Sequence, residues 1–250
     1  MSHLLILGGT TEANALARAV AETGLRATYS YAGRVEAPRA QPIPVRVGGF
    51  GGVTGLVDFI HSNNVTHLVD ATHPFAAQMS ANACGACAQT GTPLAALTRP
   101  AWQPVDGDNW RHVRDIPAAV AALAGTPQRV FLAVGRMHLD DFAAQPQHDY
   151  LLRLVDAPGG PLPLPKAQVV VSRGPFTREG DKALMEQHKT QLVVSKNAGG
   201  VGARAKLDAA RDLGLPVLMI DRPVLPPRTE LATPADVLRW MRHSGVNLGV

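Results

Sequence analysis

The sequence predicts an α/β protein of two similar Rossmann-like lobes with parallel sheets, holding cofactor and substrate in the crevice between them. Three observations carry that expectation. Short apolar runs alternate with helical patterns along the whole chain, as in successive βαβ units. A glycine turn joins the first buried strand to an amphipathic helix. A set of landmarks then recurs in the same order at an offset of 123 residues.

The elements follow in order. Leu4–Leu7 reads as a buried strand, Gly8-Gly9-Thr10-Thr11 as a tight turn and Glu12–Glu22 as a helix. Ala13, Leu16, Ala17 and Val20 recur at helical spacing on one face, and Gly24 is placed to stop the helix. Leu25–Tyr31 is expected as the second strand. Val45-Arg46-Val47 leads into the loop Gly48-Gly49-Phe50-Gly51-Gly52 and a helix ending near Asn63. Val65–Val69, a helix whose first turn holds Pro74, and Leu94–Leu97 complete another unit.

The second half repeats this plan. Thr72 to Gly91 matches Ser195 to Gly214: each segment leaves a strand end, crosses a helix and reaches Gly-x-Pro. The next strands end at Arg99-Pro100 and Arg222-Pro223. Ile6-Leu7-Gly8 has a counterpart in Ala133-Val134-Gly135. The repeat sets a boundary near Gly125-Thr126-Pro127, hence lobes 1–125 and 126–250, with Pro158–Pro165 as a surface loop. Whether the terminal strands stay in their own lobe is left open.

Composition narrows the function classes. Hydrophobic residues make up 46% of the 250, and no run approaches the ~18–20 apolar residues of a membrane span. Met1-Ser2-His3 leads directly into a buried strand, and two cysteines give no disulfide framework, so a cytosolic protein without a membrane partner is expected. Residues 1–124 hold eight arginines against eight carboxylates, whereas 125–250 hold sixteen Lys/Arg against twelve Asp/Glu. The second lobe is therefore expected to be basic. No run of adjacent basic residues occurs and aromatics are 5%, which suits a small polyanion better than nucleic acid. Cys84-Gly85-Ala86-Cys87 falls inside a helix, and the nine histidines show no paired spacing, so no metal site is expected.

The turn Gly8-Gly9-Thr10-Thr11-Glu12 suits a dinucleotide: small residues admit a pyrophosphate and the helix start stabilises its charge. It lacks the full G-x-G-x-x-G pattern, and a turn needing glycine for its backbone is the plainer alternative. NAD sites place an acid about 20 residues beyond the glycines. Here that window reads Ser30-Tyr31-Ala32-Gly33-Arg34, which suits the 2′-phosphate of NADPH. Gly49, Phe50 and Gly51 of the second glycine loop, Ala71 and Thr72 after the fourth strand, and Arg99 are expected on the same sheet edge.

In the second lobe Arg136, Arg173, Lys196 and Arg222 all follow strands, as do Asn197 and Gly199. Any one could be a solvated charge, but four cations on one edge read as a carboxylate- or phosphate-binding wall. His73 and Lys196 share the 123-residue offset and are the candidate catalytic residues. His73 is the better proton donor near neutrality, with bulk water as the alternative source.

These residues together resemble the precorrin-6A reductase family, NADPH-dependent enzymes of cobalamin (vitamin B12) ring construction. The resemblance runs through Ile6–Thr10 with Glu12-Ala13, Ala32-Gly33-Arg34, Gly48–Gly52, Asp70–Ala76 and Arg99-Pro100-Ala101-Trp102. It continues through Gly135-Arg136, Gly174-Pro175-Phe176, Ser195–Gly200 with Lys206, and Arg222-Pro223. It implies hydride transfer from NADPH to precorrin-6A, giving precorrin-6B without a metal. It also implies that the substrate's acetate and propionate groups meet the basic loops. The bottom-up alternatives are an NADP-dependent reductase of another anionic molecule and a non-catalytic NADP-binding redox sensor.

Overall fold

A computed structural model describes residues 2–33 and 39–243. The chain runs β1 (Leu4–Leu7), α1 (Thr11–Glu22), β2 (Ala27–Tyr31), β3 (Val45–Val47), α2 (Gly52–Ser62), β4 (His67–Asp70), α3 (Ala77–Thr90) and β5 (Leu94–Leu97). It continues with β6 (Trp110–Val113), α4 (Ile116–Ala122), β7 (Arg129–Ala133), 3-10 turns at Arg136–His138 and Asp140–Ala144, β8 (Asp149–Leu154) and β9 (Ala167–Val171). Then come α5 (Arg178–His188), β10 (Leu192–Lys196), α6 (Ala205–Asp212), β11 (Val217–Ile220), β12 (Thr229–Leu231) and α7 (Pro234–His243).

The strands form two parallel six-stranded sheets, ordered β12-β5-β4-β1-β2-β3 and β6-β11-β10-β7-β8-β9. The central strands are apolar on both faces, as a sheet covered by helices on each side requires. Leu4 and Ile6 of β1 pack against Leu16 and Val20 of α1 and Met241 of α7. Leu5 and Leu7 pack on the other face against Leu56 of α2 and Ala83 and Cys87 of α3. In the second sheet Phe131, Leu151, Val193 and Met219 meet Met185 of α5 and Leu207 of α6.

The two compact units are residues 1–100 with 224–250, and residues 101–223. This corrects the boundary expected near Gly125. Strand β6, which follows β5 in sequence, pairs in parallel with β11 of the second sheet. Strand β12, which follows β11, pairs in parallel with β5 of the first. Each sheet thus takes its outermost strand from the segment that leaves the other. The crossings fall directly after Arg99-Pro100 and Arg222-Pro223.

The division also removes the expected charge asymmetry. The first unit holds nine Lys/Arg against seven Asp/Glu, and the second fifteen against thirteen, so each carries +2. The basic second lobe was a product of the cut. A second correction concerns α3, which begins at Ala77 with Ala76 as its cap. Pro74 sits instead in a turn closed by the Ala76 N–H donating to the His73 carbonyl at 2.7 Å, a place where proline's fixed φ is favoured.

Strand pairing refines the repeat as well. Asp70 pairs with Ala96, and Ser195 with Met219, which lies 123 residues beyond Ala96. Asp70 and Ser195 are therefore equivalent, and His73 and Lys196 are not. Lys196 ends β10, whereas His73 lies three residues past the end of β4. By the same register Leu7 matches Ala133, so Gly9 corresponds to Gly135, and both have positive φ (116° and 81°).

Candidate functional site

In each sheet the strand order reverses near its middle: between β1 and β4 in the first, between β7 and β10 in the second. Loops at the carboxyl ends of such strands diverge and leave a crevice, where ligands of open parallel sheets bind. In the first unit the loops after β1, β2, β3, β4 and β5 carry the expected cofactor residues described by the structure. Arg34 lies outside the described residues.

The β1 loop is built by packing as much as by ligand demand. A Cβ on Gly8 would fall 2.1 Å from Cζ of Tyr29, so this glycine makes room for the buried Tyr29 ring. The Tyr29 hydroxyl accepts the Gly9 N–H at 2.9 Å and donates to Asn14 Oδ1 at 2.8 Å. Gly9, with φ +116°, faces open space and is the position where bare backbone can meet a ligand. Thr10 caps α1, accepting from the Ala13 N–H at 3.1 Å and donating to the Ala71 carbonyl at 2.8 Å. That second bond ties the β1 and β4 loops together across the reversal point. The N–H groups of Thr11 and Glu12 open the helix and have no partner within it.

Glu12 accepts from Thr11 Oγ1 at 3.0 Å and from Arg99 at 2.9 Å, joining the β5 loop to the start of α1. Burial alone would raise its pKa, but the backbone, Arg99 and Thr11 together hold it below the ordinary carboxylate value.

At the ends of β2 and β3 the organiser is Arg46. Its guanidinium donates to Ser30 Oγ and the Gly48 carbonyl, both at 2.8 Å, and to the Gly49 carbonyl at 3.1 Å. It also stacks 3.9 Å from the Phe50 ring centroid. In a planar trans peptide the next N–H points opposite its carbonyl, so the amides of Gly49 and Phe50 point away from Arg46. Cβ atoms on Gly49, Gly51 or Gly52 would meet nothing within 4 Å. Gly33 backs onto Gly48, its hypothetical Cβ 3.5 Å from that Cα. Tyr31 turns aside: its hydroxyl donates to the Arg39 carbonyl at 2.8 Å and accepts from Gln41 at 2.6 Å.

The β4 loop hangs on the buried carboxylate of Asp70. One oxygen accepts from the Thr72 hydroxyl at 2.6 Å and the Thr72 N–H at 3.1 Å. The other accepts from Ser80 Oγ and Arg228, each at 2.6 Å. His73 is exposed beyond this anchor, and its Nδ1 accepts the Phe75 N–H at 3.2 Å. A neutral ring with that acceptor carries its proton on Nε2.

In the second unit the expected residues also lie at the carboxyl edge, with divided roles. Arg136 is exposed on the 3-10 turn after β7. Arg173, after β9, is exposed and pairs with Asp156 at 2.5 Å. Arg222 is turned inward, donating to the Asn197 and Ala198 carbonyls at 3.0 and 3.1 Å. Asn197 is buried and its amide is spent on Trp102, accepting its N–H at 2.7 Å and donating to its carbonyl at 3.0 Å. Trp102 Nε1 donates to the Gly200 carbonyl at 2.7 Å, and Lys206 lies 4.8 Å from the Trp102 ring centroid. These bonds fix the loop holding Gly199, at φ +72°. Lys196 is half-buried at the end of β10.

Four residues that shape the first edge were missed as site residues: Tyr29, Arg46, Asp70 and Arg228. Arg46 had a signal, since it alternates with two exposed valines on β3 and so points to the other face. Arg228 had none, because its partner lies 158 residues away.

A doubly wound parallel sheet with open glycine loops at its reversal point defines the Rossmann-like class of nucleotide-binding α/β proteins. The residues fit a nicotinamide dinucleotide: bare backbone at Gly9, Gly49, Gly51 and Gly52 faces open space beside the N-terminus of α1. The chain belongs to the family described as Precorrin-6x reductase CbiJ/CobK, whose model matches residues 3–242. It is 59% identical over 245 residues to a precorrin-6A reductase of Rhodobacter capsulatus, covering 98% of each chain. A solved structure titled CobK precorrin-6A reductase matches at a TM-score of 0.93 and 58% identity, covering 100% of this chain and 99% of that one. A cobalt-precorrin-6A reductase of Priestia megaterium is 33% identical over 257 residues, covering 98% of each. Reductases of this family take their hydride from a nicotinamide cofactor.

Proposed function

We propose that this chain catalyses the NADPH-dependent reduction of one double bond of the precorrin-6A macrocycle, giving precorrin-6B in cobalamin biosynthesis. The observation that carries this is 59% identity over nearly the full length to a precorrin-6A reductase. The relative named for the cobalt-containing ring is much more distant, at 33%, which favours the cobalt-free substrate. Two free cysteines suit a cytoplasmic enzyme.

When bound, the reduced nicotinamide supplies hydride to a ring carbon. The chain's own groups hold and protonate. The amides at the start of α1 and in the Gly48–Gly52 loop receive the phosphates. Arg136, Arg173 and Lys196 meet substrate carboxylates, while Arg222 and Asn197 fix the loop of Gly199. His73, protonated on Nε2, gives the proton. Anaerobic incubation with NADPH and precorrin-6A, following both chromophores, tests the reaction. Stoichiometric binding of NADPH without its oxidation would instead identify a sensor.

NADPH is preferred to NADH because, at the end of β2, the window Ser30-Tyr31-Ala32-Gly33-Arg34 places no acid before Glu36 and offers an arginine instead. Two arginines there are expected to behave differently. Arg34→Ala removes a charge-assisted contact to the 2′-phosphate, so NADPH weakens about tenfold or more while NADH holds. Arg46→Ala frees the Gly48 and Gly49 carbonyls that set the loop, so both cofactors weaken together. Titration of each variant with both cofactors decides the matter; equal losses in Arg34→Ala would remove that residue from the role.

A further inference from the structure

We infer that the carboxyl edge of the second sheet carries an apolar platform, built by Met137, Val155, Val171 and Val201, that receives the flat conjugated face of the tetrapyrrole. This rests on the function proposed above and assigns recognition to side chains that a wall of cations leaves out. Four of the large hydrophobic residues exposed in the described chain gather here: Val201 at 94%, Met137 at 62%, Val155 at 57% and Val171 at 53%. Each belongs to a different strand end. Val201 follows β10, Met137 follows β7, Val155 is the first residue beyond β8, and Val171 ends β9.

Those four strands are consecutive neighbours, β10-β7-β8-β9. At ~4.8 Å between strands their ends span roughly 14 Å, enough to support a macrocycle. Isolated surface valines are ordinary, whereas side chains from four adjacent strand ends form a patch. Cations are interleaved with them: Arg136 precedes Met137, Arg173 stands two places after Val171, and Lys196 closes β10. An apolar floor edged by arginine and lysine complements a flat ring bearing carboxylates. The corresponding edge of the first sheet has one such residue among those described, Val47 at the end of β3, amid open glycine backbone.

Met137→Ser and Val201→Ser, singly and together, test the platform in the full chain; both sites are exposed, so folding is not at stake. Each variant is expected to raise the KM for precorrin-6A about fivefold, and the pair about twenty-fivefold, with kcat and NADPH affinity unchanged. Added salt should leave these ratios unaltered, because apolar burial is not screened, while the KM ratio of Arg136→Ala shrinks. Val105→Ser, just before β6 at the opposite edge, should change nothing. A double variant whose KM moves less than twofold while the wild type turns over would overturn the inference. So would a change in association state without a change in KM, which would give the patch to a second copy of the chain. Failure of the wild type to oxidise NADPH with precorrin-6A would instead overturn the function itself.

Discussion

Arg228→Ala is expected to destabilise the first unit by about 3–5 kcal/mol, as breaking a buried ion pair does. The Arg228 guanidinium and the Asp70 carboxylate are both buried, with side chains 9% and 2% exposed. Removing the cation leaves a carboxylate out of water with only the Thr72 and Ser80 groups to receive its charge. Denaturant unfolding of wild type and variant measures the loss. The double variant Asp70→Asn with Arg228→Met removes both charges and should recover a large part of it. If the double variant is no better than Arg228→Ala, the cost comes from lost packing and the charge account fails. Weaker NADPH binding should accompany the loss, because Asp70 also holds Thr72 on the cofactor edge.

His73→Ala is expected to slow the chemical step about a hundredfold, the lower bound of what a positioned general acid contributes. Asp70 fixes the loop, the Phe75 N–H occupies Nδ1, and a neutral ring then carries its proton on Nε2. Single-turnover kinetics with saturating NADPH reads this step apart from product release. A loss below about tenfold with an unchanged pH profile would make His73 a positioning residue and pass protonation to water. Lys196 no longer competes as its structural twin, since the strand register puts the two residues at different places.

Much of the site was legible because glycines and prolines declare their backbone needs in the sequence. Gly91 and Gly214 end α3 and α6 at φ +67° and +62°, and the strands they introduce, β5 and β11, keep the 123-residue offset without error. The glycine loops were visible for the same reason. The register slip at His73 was not, because it arose from matching Thr72 to Ser195 by residue type; only hydrogen-bond pairing reveals that Ser195 answers to Asp70. Nor could the strand exchange be read. A short run such as Trp110–Val113 looks the same whichever sheet it joins, so the Arg-Pro pairs were seen as landmarks while their meaning as crossings was lost. The charge asymmetry followed that error and vanished with it. Arg46 and Arg228 lay beyond pattern altogether, because what makes them matter is a partner distant in sequence.

The reciprocal exchange of β6 and β12 gives the chain an order of assembly during synthesis. The second unit is one uninterrupted stretch, 101–223, and can close as soon as that stretch has left the ribosome. The first unit emerges earlier yet finishes later, since its sheet lacks β12 and its α1 face lacks α7 until residues 224–243 arrive. Throughout that interval β5 is an open edge with unpaired amides and carbonyls, a template for a neighbouring nascent chain. Asp70 waits over the same interval for its cation. Residues 224–243, made after the whole second unit, thus both cover the open β5 edge and bring Asp70 its cation, so a ribosome that stops before them leaves a first unit with an exposed strand edge and an unpaired buried carboxylate.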